Sequence, residues 1–356
     1  MDVRTGLSYG DVLLVPQGSS VDSRDDVDLS TALAPDLELD VPVLGAAMDT
    51  VTEADLATEL SAAGGLGVVH RFATVDEQAA EIRAVTDAGE RAAVAVGIDE
   101  AVRERAAAGI DAGAAAVVVD VAHGHLERAL DATGRLADAF PDVPLVVGNV
   151  ATPEAVRDLA VAGADCVKVG VGPGSHCTTR AVAGAGVPQL TAVDDCADAA
   201  RPRGVATIAD GGIRTSGDAV KALMSGADAV MLGGFFAGTD EAPGRMVRID
   251  GERYKVSRGM ASEAANDDRT DKDVPVDAGE GEEVLTPAVG PLRPHLDEFL
   301  AGIRSGLSYC GGLDLATARD NAEFVRVTAS AREREGIHSV EAKLTAAVYG
   351  GEADDD

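Results

Sequence analysis

The sequence has no tryptophan, 3% aromatic residues and four cysteines in 356 residues. None of the cysteines has CxxC or His–Cys ligand spacing, so neither a zinc site nor a disulfide framework is indicated; they are Cys166, Cys177, Cys196 and Cys310. No stretch approaches the ~18 to 20 apolar residues of a membrane span, and the start MDVRTGLSYGDVLL has no apolar signal region. We therefore expect a cytoplasmic protein without a membrane partner.

Positive charge is also scarce. Lys and Arg number 30, of which five are Lys, against 61 Asp and Glu, which gives a net charge of −31. Because binding to phosphate backbones needs a basic face, a nucleic-acid partner is not expected. An acidic surface poor in lysine predicts a halophilic protein, kept soluble in concentrated salt where screening suppresses self-repulsion. The alternative is an acidic protein that works at ordinary salt concentrations.

Short runs of β-branched and small apolar residues, each closed by a glycine or a polar residue, recur eight times. Their starts are 21 to 39 residues apart, about the length of one strand, one helix and two loops. The runs are Val41–Ala47, Gly67–His70, Ala93–Gly97, Ala116–Asp120, Leu145–Asn149, Cys166–Gly170, Val205–Asp210 and Ala229–Gly233.

Helix signals lie between these runs. Thr152 and Pro153 form an N-cap followed by a proline at the first helical position, and Gly163 stands where a glycine would end that helix. Similar signals bracket residues 99–109 and 216–226. Because parallel strands need crossover helices and eight of them close a sheet, the pattern predicts an α/β fold, the (β/α)8 TIM barrel. An open, doubly wound sheet is the alternative.

The alternation of apolar runs and helix signals ends after the eighth run. Residues 266–283 contain eight acidic side chains and almost nothing apolar, which is typical of a solvated, mobile segment. We expect an acidic flap over 262–290, one more helix over Pro294–Ile303, and a frayed acidic tail at 351–356. Residues 1–350 are predicted to form a single barrel domain.

The longest interval follows the sixth run and contains GVGPGSHCTTR at 170–180. Strand ends and the loops after them form the active face of such a barrel. Three glycines beside Ser175 and Cys177 fit a loop whose backbone approaches a ligand, binds an anion and holds a nucleophile. Nearby backbone N–H groups and Arg180 would help to form the thiolate. The alternative is that Cys177 is a small buried residue, as expected for Cys166 and Cys196.

Two glycine pairs follow the last two runs, at Gly211–Gly212 after Asp210 and at Gly233–Gly234. Barrels commonly bind phosphate at these two positions, so phosphate binding is favoured over simple turns. The GxGxG at 170–174 is not interpreted as a dinucleotide fingerprint, because no capped helix follows it directly. No catalytic role is assigned to the histidines near the strand ends, which are His123, His125 and His176.

With these residues identified, the sequence resembles the IMP dehydrogenase and GMP reductase family over nearly its whole length. The resemblance is carried by GDVLL at 10–14, AMDTV at 47–51, GVGPGSHCTTR at 170–180, ADGGIR at 209–214 and RGM at 258–260. It implies a cytoplasmic homotetramer that binds a purine mononucleotide, NADPH or NAD+, and a monovalent cation such as K+.

The resemblance also implies roles for individual residues. Cys177 would attack C2 of the purine, with Thr179 and Glu280 as the pair that moves a proton. The substrate would be held by Ser175, Asp210, Gly211, Gly212, Gly233, Gly234, Gly259, Met260, Ala261 and Gly281. The cofactor would meet Asp120, Val121, Ala122 and Gly170, with Arg71 as the candidate for a 2′-phosphate. Backbone carbonyls of Gly170, Gly172, Cys177 and Arg180 would coordinate the cation.

Features of both branches of the family are present. Dehydrogenases carry an Arg-Tyr pair in the flap, where this sequence has Arg269-Thr270, and usually an insertion near 84–91 that is absent here. These differences, with Glu280-Gly281 at the position of a catalytic Glu, favour NADPH-dependent GMP reductase. The early motifs AAMDTVTEADLA and GGLGVVH resemble IMP dehydrogenase, which is the alternative. Asp277 and Ser257 depart from the reductase pattern, because reductases tend to have a basic residue at the first position and Ser257 replaces an aromatic residue beside RGM. A second alternative is a barrel that binds purine nucleotides without catalysis.

Overall fold

The structure is a computed structural model that describes residues 3–175, 177–262, 265 and 281–335. Eight parallel strands form a closed barrel in the order β4-β5-β6-β7-β8-β9-β10-β11, with β11 pairing back to β4. The fifteen strands of the described residues are β1 Val12–Leu14, β2 Thr31–Ala34, β3 Leu37–Leu39, β4 Val43–Gly45, β5 Leu66–Val69, β6 Ala92–Val96, β7 Ala116–Asp120, β8 Leu145–Val150, β9 Cys166–Val169, β10 Ala206–Asp210, β11 Ala229–Leu232, β12 Met246–Ile249, β13 Glu252–Arg258, β14 Glu283–Pro287 and β15 Phe324–Arg326.

Helices alternate with the barrel strands and lie outside them. They are α1 Ala54–Ala62, α2 Val75–Asp87, α3 Val102–Asp111, α4 Glu127–Ala139, α5 Pro153–Ala162, α6 Thr179–Val182, α7 Gln189–Ala200, α8 Ser216–Met224, α9 Leu292–Tyr309, α10 Leu315–Asn321 and α11 Ala329–Glu335. The predicted barrel is confirmed, since each of the eight runs overlaps one barrel strand. At α5, Thr152 caps the helix and Gly163 ends it in the left-handed conformation, as its sequence signals predicted. None of the described helices is long and apolar enough to cross a membrane.

The barrel has a core on each side of its sheet because successive residues of a strand point to opposite faces. In β6, Ala93 and Ala95 pack inside the barrel, whereas Val94 and Val96 pack against the surrounding helices. Three leucines of the β2–β3 hairpin, Leu33, Leu37 and Leu39, belong to the inner cluster. The hairpin is held by Thr31, whose hydroxyl donates to the carbonyl of Asp228 just before β11. It therefore closes the end of the barrel opposite to the strand carboxyl ends.

Two smaller sheets lie outside the barrel. β1 pairs antiparallel with β15, and β12, β13 and β14 form an antiparallel three-stranded sheet. Residues 283–287 of the predicted flap form β14 and pair with β13, and the mobility expected over 262–290 stays a prediction. Residues 266–280 of that segment, and the acidic tail at 351–356, lie outside the described residues. The predicted helix at Pro294–Ile303 exists and is longer, extending from Leu292 to Tyr309.

Candidate active site

The carboxyl ends of the barrel strands open onto two cavities that share one wall. One, of about 460 Å³, is named the glycine-lined cavity after Gly174, Gly211, Gly212, Gly233, Gly234 and Gly259. The other, of about 470 Å³, is named the charged cavity after Arg71, Asp120, Lys168 and Asp210. The residues common to both are Ala46, Met48, Pro173, Gly174, Cys177, Asp210, Gly211, Met231, Met260 and Ala261. Two ligands bound side by side would meet at this shared wall.

Cys177 is part of the shared wall. Its N–H donates to the carbonyl of Gly174 at 3.1 Å, which closes a tight turn just before α6. Its sulfur lies 3.1 Å from Oγ1 of Thr179. The backbone of Cys177 also pairs with Gly281, which pairs in turn with Ser262. Cys177 is half-buried and reaches both cavities, so the alternative of a core position is wrong for it, whereas Cys166 and Cys196 are buried as expected.

The glycine turns follow β10 and β11. Gly211 and Gly212 have φ angles of 90° and 77°, which favour glycine, and a Cβ on Gly211 would lie 3.0 Å from Pro173. A Cβ on Gly233 would lie 2.8 Å from the sulfur of Met48. Because these residues have no side chains, their backbone lies at the cavity surface, where N–H groups can donate to an anion. The arrangement suits a phosphate group.

Lys168 lies at the floor of the charged cavity, with 2% of its side chain exposed. Its Nζ lies 2.8 Å from Oδ1 of Asp120 and 2.6 Å from Oδ2 of Asp210. It also donates to Oδ1 of Asn149, whose amide nitrogen donates to Oδ2 of Asp210 at 2.8 Å. Burial lowers the pKa of Lys168, but the two carboxylates outweigh it and raise that pKa above its ordinary value. Burial likewise raises the pKa of Asp120, and Lys168 outweighs it, so that the pKa falls below its usual range.

Two arginines fix the loops around these cavities. Arg71 donates from Nε to the carbonyl of Asp120 at 3.2 Å, and its guanidinium lies 5.0 Å from the ring centroid of Phe72. Arg258 forms an ion pair with Asp49, with Nη2 2.6 Å and Nε 3.0 Å from Oδ2. The N–H of Asp49 lies 3.4 Å from the sulfur of Met260. The segment that contains Met260 is thereby tied to the loop after β4.

Most of the predicted site residues line one of the two cavities. In the glycine-lined cavity lie Ser175, Asp210, Gly211, Gly212, Gly233, Gly234, Gly259, Met260 and Ala261. In the charged cavity lie Arg71, Asp120, Val121, Ala122, Gly170, Gly172 and Thr179. Gly281 is not among the lining residues but meets Cys177 through its backbone. Glu280 and His176 lie outside the described residues.

Arg180 differs from the expectation that it assists the thiol. Its guanidinium donates to the carbonyl of Val187 at 2.7 Å and to that of Val171 at 3.4 Å. Within the described part of the chain no hydrogen bond or ion pair joins it to Cys177. The side chain therefore fastens the loop to the segment before α7.

The carbonyl of Gly170, one of the four predicted cation ligands, accepts a hydrogen bond from the side-chain amide of Asn149 at 2.8 Å. The potassium site stays a prediction.

Lys168 and Arg258 are the contributors that sequence reasoning missed. The signal for Lys168 was available: it is one of five lysines and the single charged residue of the buried strand β9, Cys-Val-Lys-Val. A charge on a strand buried on both faces needs a partner, and the inward-facing acidic residues of neighbouring strands supply it. Arg258 had no comparable signal, because its partner Asp49 is about 200 positions away in sequence.

The family model described as IMP dehydrogenase / GMP reductase domain matches residues 6–338. The chain is 33% identical to an inosine-5′-monophosphate dehydrogenase of Nitrosopumilus maritimus over 473 aligned positions, which cover 96% of this chain and 99% of the relative. It is 34% identical to a GMP reductase of Leishmania major over 477 positions, which cover 94% and 97%. Both alignments are longer than the 356 residues of this chain, so each relative carries residues with no counterpart here.

Among solved structures, the chain is similar to a cysteine-to-alanine variant of GMP reductase from Trypanosoma brucei in complex with guanosine 5′-monophosphate. The TM-score is 0.91 at 31% sequence identity, and the match covers 95% of this chain and 98% of that one. The similarity extends over almost the whole of both chains.

Proposed function

The chain belongs to the IMP dehydrogenase / GMP reductase family, and from that membership we propose that it is a GMP reductase, which converts GMP to IMP and ammonia with NADPH. The observation that carries the covalent chemistry of the proposal is the position of Cys177, on the wall between a cavity suited to a phosphate and a second, charged cavity. The choice of reductase over dehydrogenase rests on the flap sequence and on Glu280. A nucleophile at that place can react with a base in the first cavity and remain open to a reductant in the second.

The glycine-lined cavity is the proposed nucleotide site. The turns Gly211–Gly212 and Gly233–Gly234, with Ser175, donate to the phosphate, and Asp210 accepts from ribose hydroxyls. Gly259, Met260 and Ala261 form the wall beside the base, fixed by the Asp49–Arg258 ion pair. The base is then held beside the sulfur of Cys177, because Met260 and Ala261 line the same shared wall.

The proposed reaction has two halves. The sulfur of Cys177, as thiolate, forms a bond to C2 of GMP, and the 2-amino group takes up a proton and leaves as ammonia. NADPH, bound in the charged cavity, supplies the hydride that reduces C2. The carbon–sulfur bond then breaks, IMP is released and the thiolate is regenerated. One GMP, one NADPH and one proton are consumed for one IMP, one NADP+ and one ammonia.

Thr179 and Glu280 are proposed to supply the proton to the amino group. The Thr179 hydroxyl lies 3.1 Å from the Cys177 sulfur and lines the charged cavity. Glu280 lies outside the described residues, and Gly281, which follows it in sequence, pairs with Cys177. Positioned proton transfer of this kind contributes about 10²- to 10⁴-fold to a rate. We expect Glu280→Gln to slow deamination much more than it weakens GMP binding.

The charged cavity is the proposed dinucleotide site. Asp120, Val121, Ala122 and Gly170 line it, and Arg71, which also lines it, is the candidate for a 2′-phosphate. A homotetramer and a potassium ion held by loop carbonyls complete the proposal. Size-exclusion chromatography with light scattering, and replacement of KCl by LiCl in the assay, test these two points; a monomer, or equal activity in both salts, would contradict them.

IMP dehydrogenase, which oxidises IMP with NAD+, is the second candidate. Relatives of both names match at about one-third identity, and the motifs at 46–57 and 64–70 resemble dehydrogenases. The missing insertion does not separate the two activities, because the alignment with the Leishmania GMP reductase is also longer than this chain. The case for the reductase therefore depends on the flap sequence and on the glutamate before Gly281.

One assay discriminates between the candidates. Absorbance at 340 nm is followed in high KCl with GMP plus NADPH in one cuvette and IMP plus NAD+ in another. We expect a GMP-dependent decrease in the first and no change in the second. An increase in the second alone, with xanthosine monophosphate formed, would identify a dehydrogenase. No change in either, with GMP bound, would favour the non-catalytic nucleotide-binding barrel.

A further inference from the structure

Lys168 connects the two cavities through its ion pairs. Alternation along β9 places Cys166 and Lys168 on the inner face, and the same alternation continues the inner positions of β7 and β10 to Asp120 and Asp210. The three charged groups therefore meet in one layer of side chains near the top of the barrel interior. Asp120 faces the charged cavity alone, whereas Asp210 faces both cavities.

The charge balance of this cluster is unequal. Lys168 lies 2.8 Å from one carboxylate and 2.6 Å from the other, and with 2% exposure it has little access to water. The cluster holds two negative charges and one positive charge. Asn149 bridges part of it, since its amide donates to Asp210 and its carbonyl oxygen accepts from Lys168. If the ammonium is removed, two partly buried carboxylates are left close together without a cation between them, which is unfavourable.

From this geometry we infer that Lys168 is a positioning residue for both ligands. Its two ion pairs hold the carboxylate of Asp210 in place for the nucleotide and the carboxylate of Asp120 in place for the dinucleotide. The inference rests on the proposed function, because it takes the two cavities as the sites of those two ligands. Lys168 lies beneath both carboxylates and acts through them. Its loss is predicted to disturb both sites at once, although Asp120 faces only the charged cavity.

The test compares variants in steady-state kinetics, in whichever of the two assays above the unmodified protein shows turnover. Lys168→Met removes the charge and keeps a long side chain. Lys255→Met is the matched control, because Lys255 is also a buried lysine, 5% exposed, but donates to the backbone carbonyls of Asp240 and Ala242 away from the cavities. Melting temperatures are measured for all variants. If Lys168→Met is not obtained folded, Lys168→Gln carries the same comparison.

We expect Lys168→Met to raise the KM values for nucleotide and dinucleotide together, each by at least about tenfold. Lys255→Met should lower the melting temperature and leave both KM values within about twofold. The diagnostic variant is Lys168→Met combined with Asp120→Asn. Neutralising Asp120 removes the repulsion on Asp210, so the double variant should recover part of the nucleotide affinity although Asp120 lies on the other side.

Two results would overturn the inference. One is a KM change confined to a single ligand in Lys168→Met; the other is a double variant that binds the nucleotide no better than Lys168→Met alone. Either result is distinct from failure of the proposed function, which the unmodified protein reveals by which substrate pair it turns over. A binding-only barrel is tested by the same variants with calorimetric titration of IMP and of NADP+.

Discussion

The two cavities share one wall but present different kinds of chemical group to a ligand. The glycine-lined cavity presents the backbone of glycine turns together with apolar side chains, Asp210 and Arg214. The charged cavity presents Arg71, Asp120, Lys168 and Asp210, of which the last three form ion pairs. The difference follows from how the strands end. β10 and β11 are followed by glycine pairs, and β7 and β9 carry a charge at or near their last inward position. A single barrel thus places glycine turns on one side of the shared wall and the Lys168–Asp120 ion pair on the other.

This difference predicts different weaknesses. A site built on glycine turns is damaged by an added Cβ, because the turn geometry itself changes. A site of paired charges tolerates changes of shape better and fails when one partner is neutralised, because the remaining charge is left without compensation. Cys177 lies on the wall between the cavities and therefore belongs to both sites. Its loss should abolish the covalent step without weakening ligand binding in either cavity.

The largest effect is therefore expected from Cys177→Ala. Turnover should fall by about 10⁴-fold or more, since the covalent step has no other nucleophile to use. Nucleotide affinity, measured by calorimetric titration of IMP, should stay within about threefold because the phosphate turns and base wall are unchanged. If the variant kept a turnover rate close to that of the unmodified protein, the covalent mechanism would be ruled out.

Gly212→Ala should break the glycine-lined site selectively. At φ 77° a side chain costs about 1 to 2 kcal/mol, so we expect a rise of about tenfold in the KM for the nucleotide and little change for the dinucleotide. Gly251→Ala is the matched control, because Gly251 has φ 88° in the β12–β13 turn and no atom within 4 Å of its Cβ position. The control should lose similar stability but no affinity. Equal KM changes for both ligands in Gly212→Ala would contradict the division between the cavities.

A smaller effect is expected at the edge of the charged cavity. Arg71→Gln should raise the KM for NADPH about fivefold more than that for NADH, because a charged hydrogen bond to the 2′-phosphate is lost. Arg91→Gln serves as the control, since Arg91 is exposed and donates to the carbonyl of Glu38. Parallel changes for NADPH and NADH would assign Arg71 to holding the Asp120 backbone instead.

The smallest difference concerns salt. The urea midpoint of the unmodified protein should rise between about 0.1 and 2 M KCl, because screening relieves repulsion among surface carboxylates. Asp120→Asn should show the same rise, since the charges around Lys168 are partly buried and lie close together, so that salt screens them less than the surface carboxylates. A midpoint that does not rise in the unmodified protein would refute salt adaptation. A smaller rise in Asp120→Asn would mean that the cluster is open to solvent ions.

The barrel was predictable because its signals are local. Each strand is a short apolar run, and each connection has a length that only a helix can fill, so spacing alone indicated the closed sheet. The hairpin of β12 and β13 was also signalled and was missed. Asp250 and Gly251 between Ile249 and Glu252, both at positive φ, form the two-residue turn that an Asp-Gly pair predicts. β14 was missed because the acidic residues before it dominate the composition of that segment.

The sequence predicted which residues lie at the carboxyl end of the barrel, but not which of them contact each other. Cys177, Asp120 and Asp210 could be placed there because strand ends converge. Lys168 reaches both aspartates only because β7, β9 and β10 have the appropriate relative register. The Asp49–Arg258 pair forms only because a segment after the last barrel strand folds back over the barrel. Both arise from tertiary packing between residues distant in sequence, for which one sequence contains no local signal.

The antiparallel pairing of β1 with β15 has a consequence for biosynthesis. Tyr9, just before β1, lies under the turn at Gly212, and its carbonyl accepts from Lys221. The strand that holds this early segment in place, β15, leaves the ribosome only after all eight barrel strands have been made. The turn at Gly212 therefore acquires the support that β15 gives to Tyr9 only late in translation.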